Sequence, residues 1–409
     1  HHAQFRRQRQ MCIRDSNYAD VMAYVAKKIA AIAPHDSQER FEQMGVKVIR
    51  QYAKFKDRKT IIAGEYEITA RRMVLATGSR AKIPNIKGLD EVAYLTNETL
   101  FDLRKAPSHL AIIGGGPIGL EMAQAHARLG IKTTLIEMNR IMMGHERRFV
   151  EPVEQSLISD GVNILEKTFV NRVKKDKANI KLHLSSGEVL LASDLLISAG
   201  RVPNIEQLAL EKAGVKYNEF GVTVDRNLRT TNKLVYAIGD IVEGSRFTHT
   251  ASYHAGIVLK KILLGLPSKL RTDHIPQVTY TDPEIASVGM NFEDAVKRFG
   301  KKIERSCVSL KNNDRAITDS KTEGFVEVIL LGKKVIGCSI TSKNAGELIS
   351  FWAFLIAKNI KISNINAMVP PYPTLGEVNK RVVSEYYAPK VFGSKLLKFY
   401  IAVTQKIFT

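Results

Sequence analysis

Apolar residues in this chain fall into short runs that end abruptly in small or charged residues. Leu110-Ala111-Ile112-Ile113 runs into Gly114-Gly115-Gly116-Pro117-Ile118-Gly119, and Thr133-Thr134-Leu135-Ile136 runs into Glu137. Continuous apolar runs of this length predict strands buried on both faces, the kind a parallel sheet uses, and the stretch between them predicts a helix. Upstream, Val21, Met22, Val25, Ile29 and Ile32 recur at helical spacing from Asn17 to Ala33 and stop at Pro34. Asp36 and Glu39 have capping-box spacing and predict a second helix start. Val46 to Leu75 is rich in Val, Ile and Tyr and is broken at Lys56-Asp57-Arg58 and Ala63-Gly64, which predicts a small antiparallel meander. Later strands of the glycine-rich unit are expected at Val162 to Leu165, Ile180 to Leu184 and Asp194 to Ala199. From Ile275 onward strands (Gln277 to Thr281, Phe325 to Leu331, Val335 to Ile340) alternate with helices (Phe292 to Phe299, Ala345 to Lys358), as in a separate α+β domain. Asp282-Pro283-Glu284 reads as a turn after an edge strand.

The strand, Gly-x-Gly-x-x-Gly turn, helix and second strand form a dinucleotide site. Gly114 permits the tight turn, Gly116 lets the backbone approach a pyrophosphate, and Gly119 lets the helix pack closely on the strand. Pro117 and Ile118 open the helix, whose free N–H groups and positive dipole end face the phosphates. Glu137 stands where a carboxylate accepts from a ribose 2′-hydroxyl and repels a 2′-phosphate, so NAD is expected over NADP. Lys132, Asn139 and Arg140 limit that preference, because a basic side chain can also reach a phosphate. Two further apolar strands end in glycine: Met73 to Ser79, and Asp194 to Ala199 followed by Gly200-Arg201-Val202-Pro203-Asn204. A third, Val235 to Ile238, ends in Gly239-Asp240, where a carboxylate can accept from a ligand hydroxyl. Repeated signals of this type imply two nucleotide-binding layers.

Composition narrows the class. The 409 residues suffice for two or three domains, with 44% hydrophobic residues to supply their cores. The formal charge of +20 is spread along the chain and accompanies no nucleic-acid reader motif, so a basic surface around anionic dinucleotides is the simpler account. Cys12, Cys307 and Cys338 are too widely spaced for a disulfide framework or a metal site, which suits a cytoplasmic setting. The histidines offer no metal site either: His249 and His254 are spaced as satisfied structural residues. Residues 1–16, with Arg6, Arg7, Arg9 and Arg14 and no periodic pattern, read as a non-native leader. At the other end Lys390, Lys395, Lys398 and Lys406 interleave with apolar residues. Docking of that tail onto the protein body is the favoured reading, and peripheral contact with a membrane surface is the alternative.

Taken in order, Ala76-Thr77-Gly78-Ser79, Gly114 to Glu121, Ser198 to Asn204, Tyr236 to Asp240 and Tyr372-Pro373-Thr374-Leu375-Gly376-Glu377 resemble the flavoprotein pyridine nucleotide-disulfide oxidoreductases. The resemblance covers about Asn17 to Tyr387. It implies an α/β fold with two Rossmann-like nucleotide-binding domains, the NAD domain inserted in an incomplete FAD domain, followed by an α+β domain that forms a homodimer. The implied boundaries are 17–106 for the partial FAD domain, 107–231 for the NAD(P) domain, 232–270 for the returning FAD segment, 271–390 for dimerisation and 391–409 for the basic tail. By the same resemblance Thr77, Gly78, Gly239 and Asp240 hold FAD, Gly200 and Arg201 lie near both cofactors, and Glu121 sits beside the nicotinamide and flavin rings. The implied activity is hydride transfer from NAD(P)H through flavin to a small disulfide, metal-ion or related acceptor.

Two departures from the resemblance are informative. Family members carry an earlier Gly-x-Gly-x-x-Gly turn and a Cys-x-x-x-x-Cys pair; neither occurs here, so the sequence reads as an N-terminally truncated enzyme. Tyr372 stands where the disulfide reductases have a histidine oriented by a glutamate, here Glu377. Histidine titrates near pH 6.5 and tyrosine near 10, so Tyr372 is a poor base at neutral pH. Two other readings are carried: a flavin-dependent NADH:quinone-type reductase without a cysteine pair, and an inactive NAD-binding dimerisation module.

Overall fold

The computed structural model describes residues 17–244 and 246–408; the expected leader at 1–16, with Cys12, lies outside them. The chain divides into two compact units, one formed by residues up to Arg140 together with Gly161–Leu270, the other by Ile141–Asp160 and the chain from Arg271 onward.

In the first unit, His109–Ile113 is one of the two inner strands of a parallel sheet in the order Asp194–Ile197, His109–Ile113, Lys132–Ile136, Val162–Leu165. Leu110, Ala111 and Ile112 are wholly buried, as a strand covered on both faces requires. The helix Pro117–Arg128 lies on this sheet, with Leu120 and Ala123 fully buried. Val170–Asp176, Asn179–Leu184 and Val189–Ala192 form a separate antiparallel sheet. The stretch expected at Ile180 to Leu184 as a further strand of the glycine-rich unit therefore lies in this meander, where burial alternates along the strand. A second meander, Ala53–Phe55, Thr60–Ala63 and Tyr66–Thr69, occupies the expected region, but Met73–Leu75 leaves it to pair in parallel with Val235–Ala237.

The helix Tyr18–Ile32 starts at Asn17, whose side chain accepts from the Ala19 amide, and buries Tyr18 and Met22. Its expected apolar face is only partly used, since Ile29 and Ile32 remain exposed. The next helix begins at Gln38 rather than near Asp36: residues Ala33–Asp36 form a 3-10 turn, and the Ser37 hydroxyl caps the helix by accepting from the Arg40 amide.

The second unit is built on a five-stranded antiparallel sheet in the order Gln277–Thr279, Glu284–Gly289, Lys334–Ser342, Phe325–Leu331, Ile303–Ser309. Two of these strands, Glu284–Gly289 and Ile303–Ser309, were not legible in the pattern. The helix Ala345–Ala357 packs on the sheet around Trp352, which is fully buried and donates from Nε1 to Asn379 Oδ1 at 2.8 Å. The helix Arg147–Ser159 belongs to this unit although chain order had placed it within 107–231. Phe149, Val150, Val153 and Leu157 form its buried stripe, and Phe149 meets Phe325 edge-on at 5.0 Å. Arg148 pairs here with Glu327, whose carboxyl is pushed up from its ordinary range by burial.

Candidate functional site

The paired strands Met73–Leu75 and Val235–Ala237 end side by side, and each is followed by a glycine in the left-handed region, Gly78 at φ +68° and Gly239 at +70°. Around these ends lies a cavity of about 510 Å³ lined by Ala76, Gly78, Ile118, Arg201, Ile238 and Gly239, with Asp240, Arg246, Phe247, Thr248 and Ala251 completing it. That size suits a flat, drug-sized group. One polar network shapes its wall. The Ser79 hydroxyl donates to Asp240 Oδ2 at 2.6 Å, Arg201 Nε donates to the Ser79 hydroxyl at 2.7 Å, and Arg201 Nη2 donates to the Ser79 carbonyl at 2.7 Å. Arg201 Nη1 also reaches Asn97 Oδ1 at 3.3 Å. These contacts arise because Arg201–Pro203 pairs antiparallel with Ser79–Ala81.

Beneath the cavity, the Gly239 amide donates to Nδ1 of His254 at 3.2 Å, and burial of that imidazole lowers its pKa. His254 is thus a structural histidine that braces the Gly239-Asp240 turn, as its spacing from His249 implied. Arg246 donates to the carbonyls of Arg201 and Phe220. Its buried Nε has no acceptor among the described residues. Asp240 as acceptor, this orphaned donor and the two glycine turns fit the ribityl chain and polar ring edge of FAD.

The dinucleotide turn carries two kinds of glycine. A Cβ on Gly119 would stand 1.9 Å from the Gly114 carbonyl oxygen, and one on Gly114 would stand 2.4 Å from the Ser198 oxygen, so both positions are closed by packing. Gly116 opens onto free space: nothing lies within 4 Å of its ideal Cβ. A glycine that packing does not demand, at the head of a helix opening with Pro117, fits close approach of a pyrophosphate. Glu137 accepts from the Gly115 amide at 2.7 Å through Oε2 and from the Asn139 amide at 2.8 Å through Oε1, so it holds the turn. Glu121 is half-buried, three residues beyond Ile118 on the same helix face.

Of the residues singled out in the sequence, Gly78, Ile118, Arg201, Gly239 and Asp240 line the cavity together. Gly114, Gly116, Pro117, Gly119 and Glu137 form the neighbouring turn, and Gly200 takes a positive φ of +104° just before Arg201. Thr77 does not line the cavity: its hydroxyl donates to the Asn204 carbonyl at 2.8 Å while Asn204 Nδ2 returns a bond to the Thr77 carbonyl at 2.9 Å. Sequence reasoning missed Ser79, Asn97 and Arg246 as site residues, although Ser79 stood inside a quoted motif. Tyr372 and Glu377 lie in the second unit. Tyr372 is exposed and donates from its hydroxyl to Asp314 Oδ2 at 3.0 Å, a bond that raises its pKa. Glu377 accepts from the Thr374 amide at 3.2 Å and makes no hydrogen bond to Tyr372. Among the described residues no group of three or more His, Cys, Asp or Glu is placed to hold a metal ion.

A glycine-rich nicotinamide-type turn beside a second nucleotide layer, joined to an α+β domain, defines the two-dinucleotide oxidoreductases. Residues 9–255 match the pyridine nucleotide-disulphide oxidoreductase family and residues 275–383 match its dimerisation domain, so the chain belongs to that family. Its members are enzymes that use FAD and NAD(P)H. The chain is 32% identical over 349 residues to mercuric reductase of Bacillus cereus, covering 84% of this chain and 55% of that protein. It is 30% identical over 345 residues to dihydrolipoyl dehydrogenase of Geobacillus stearothermophilus, covering 81% and 73%. Among solved structures, LpdA from Mycobacterium tuberculosis shares the fold with a TM-score of 0.83 at 24% identity, over 94% of this chain and 86% of that one. The HOCl-induced flavoprotein disulfide reductase RclA from Escherichia coli, described as a Cu(II) complex, superposes with a TM-score of 0.76 at 23% identity, over 89% and 88%.

Proposed function

We propose that this protein passes reducing equivalents from NADH, in preference to NADPH, through FAD to a soft metal ion or a related small acceptor. One observation carries the reading: Ile118, from the helix that opens at the glycine-rich turn, and Gly78, Gly239 and Asp240, from the paired strand ends, line the same cavity. Groups held by the two layers meet there. FAD, when bound, supplies a ring system that accepts a hydride and returns electrons. The chain's own part is positioning. Gly116 leaves room for a pyrophosphate, the helix amides and dipole attract it, and Glu137 accepts from a ribose hydroxyl. Asp240, held by Ser79 and Arg201, accepts from a polyol hydroxyl, and Glu121, one turn on from Ile118 on the same helix, is the acid assigned beside the rings. A homodimer through residues 275–383, in the cytoplasm, completes the proposal.

Tyr372 argues for the acceptor class. Its bond to Asp314 holds the phenol protonated further into the alkaline range, so it does not shuttle a thiol proton at neutral pH. A soft metal ion needs no such shuttle, and the relative at 32% identity, mercuric reductase, is named for one. The test is to titrate the full chain with FAD, add NADH anaerobically, and record loss of flavin absorbance, then its return on adding Hg(II), Cu(II) or a small disulfide. Bleaching by NADH and return with a metal ion are expected. NADH binding without flavin binding would overturn the proposal and leave a nucleotide-binding module; return with the disulfide alone would overturn the acceptor assignment.

A further inference from the structure

The tail expected to dock onto the protein body does not do so. After Glu377–Phe392, a break at Gly393-Ser394 leads into the helix Lys395–Phe408, whose first turn is capped by the Ser394 hydroxyl accepting from the Leu397 amide at 3.2 Å. Lys395, Lys398, Ala402 and Gln405 fall on one narrow stripe by helical spacing, Leu396, Tyr400 and Val403 fall on the face turned away from it, and Phe399 lies at the border beside Lys395. The apolar side is uncovered: Leu396 is 83% exposed, Phe399 70% and Tyr400 65%, with Phe392 just before them at 73%.

We propose that this helix is a membrane-surface anchor that lies in the headgroup layer of an anionic phospholipid bilayer. Charge selects that occupant. From Tyr386 to Thr409 the sequence holds Lys390, Lys395, Lys398 and Lys406 and no Asp or Glu. Lys390 is committed to the body, at 2.5 Å from Glu304 Oε1 and over the Tyr386 ring, which leaves Lys395, Lys398 and Lys406 in the sequence of the helix itself. A second copy packed on this face would bring the same lysines together with no Asp or Glu beside them, so local charge opposes self-association through the helix and favours an anionic surface. Aromatic residues beside lysines on a short helix are what the headgroup region accepts. The helix lies on the bilayer and does not cross it: its 14 residues reach about 21 Å, short of the roughly 30 Å hydrocarbon core. Among the described residues no helix is long and apolar enough to span.

The test is co-sedimentation of the full chain with vesicles of phosphatidylcholine alone and of phosphatidylcholine containing phosphatidylglycerol. Binding is expected with the anionic vesicles, weakened by salt. Lys395→Gln and Lys398→Gln should each lower partitioning about fivefold. Phe399→Glu should lower it about tenfold or more by removing buried apolar area. Because these side chains are exposed, melting temperatures should stay at the parent value, so lost binding reports the surface and not the fold. Failure to bind anionic vesicles, or equal binding by all the variants, would overturn the proposal. A change of oligomeric state in Phe399→Glu without vesicle binding would also overturn it, and would assign the face to a second copy.

Discussion

Gly116→Ala separates a glycine kept for a ligand from one kept for the fold. Its φ of −83° is ordinary for alanine, and the added methyl meets nothing within 4 Å. Alanine caps a helix less well than glycine, but it also restricts the unfolded chain by about 0.4–1 kcal/mol, so the two terms offset and net stability should move by less than about 1 kcal/mol. The methyl fills the space assigned to a pyrophosphate. Holding the phosphate off even one amide removes a charge-assisted hydrogen bond of about 1.5–3 kcal/mol, which is roughly a tenfold to hundredfold loss of NADH affinity. Gly119→Ala is the contrasting control: its Cβ would lie 1.9 Å from the Gly114 oxygen, so the helix must shift, at a cost of about 1–3 kcal/mol or more, and both melting temperature and affinity should fall. Titration of NADH fluorescence and a thermal melt on both variants decide the matter. NADH affinity unchanged within twofold in Gly116→Ala would refute the assignment of the turn. A large drop in its melting temperature would refute the reading of its open space.

Glu137→Ala should narrow the preference for NADH over NADPH by about tenfold, because it removes the carboxylate expected to repel a 2′-phosphate while Lys132 and Arg140 remain; dissociation constants for both cofactors check this, and an unchanged ratio would count against the site. Arg148→Ala should lower denaturant stability by about 3 kcal/mol, since it strands the buried carboxylate of Glu327, with Arg305 only partly replacing it at 3.8 Å; a loss below about 1 kcal/mol would show the pair to be dispensable. His109, His126 and His254 are buried, and burial lowers each pKa. Their protonation therefore favours the unfolded chain, where histidine titrates near pH 6.5. Stability should be full above about that pH and fall as pH drops through it, by up to about 1.4 kcal/mol per pH unit for each histidine. Urea midpoints at a series of pH values test this, and a midpoint that rises on acidification would contradict it. Tyr372→Phe should leave melting temperature and neutral-pH turnover with a metal acceptor within twofold, because the exposed phenol stays protonated; a tenfold loss would give that hydroxyl a chemical role.

What was legible in the sequence was what the backbone demands locally. Gly114 and Gly119 are fixed by contacts within one turn and its neighbouring strand, so the glycine spacing alone announced strand, turn, helix and acid. The parallel strands were legible because burial on both faces leaves an unbroken apolar run. The strand Ile303–Ser309 was missed because a buried position is the polar Ser306 and an exposed one is Cys307, which blurs the apolar alternation, and Glu284–Gly289 because its first residue belonged to an apparent turn. The helix Arg147–Ser159 shows its buried stripe in the sequence, but nothing in that stripe says which sheet it covers.

The cavity wall lay furthest from sequence reasoning, for a related reason. Ser79 and Asp240 are 161 residues apart and Ser79 and Arg201 are 122 apart, yet one hydroxyl bonds to both. A serine after a strand-end glycine has no local signal that separates a turn residue from the link between a carboxylate and a guanidinium. Only the pairing of Arg201–Pro203 with Ser79–Ala81, and of Met73–Leu75 with Val235–Ala237, brings the three together. Motif spacing located the glycines here assigned to cofactors, and long-range strand register located the polar groups of the cavity wall. Substitutions at the first kind of position should therefore change affinity, and those at Ser79 should change how Asp240 is held while leaving the glycine turns intact.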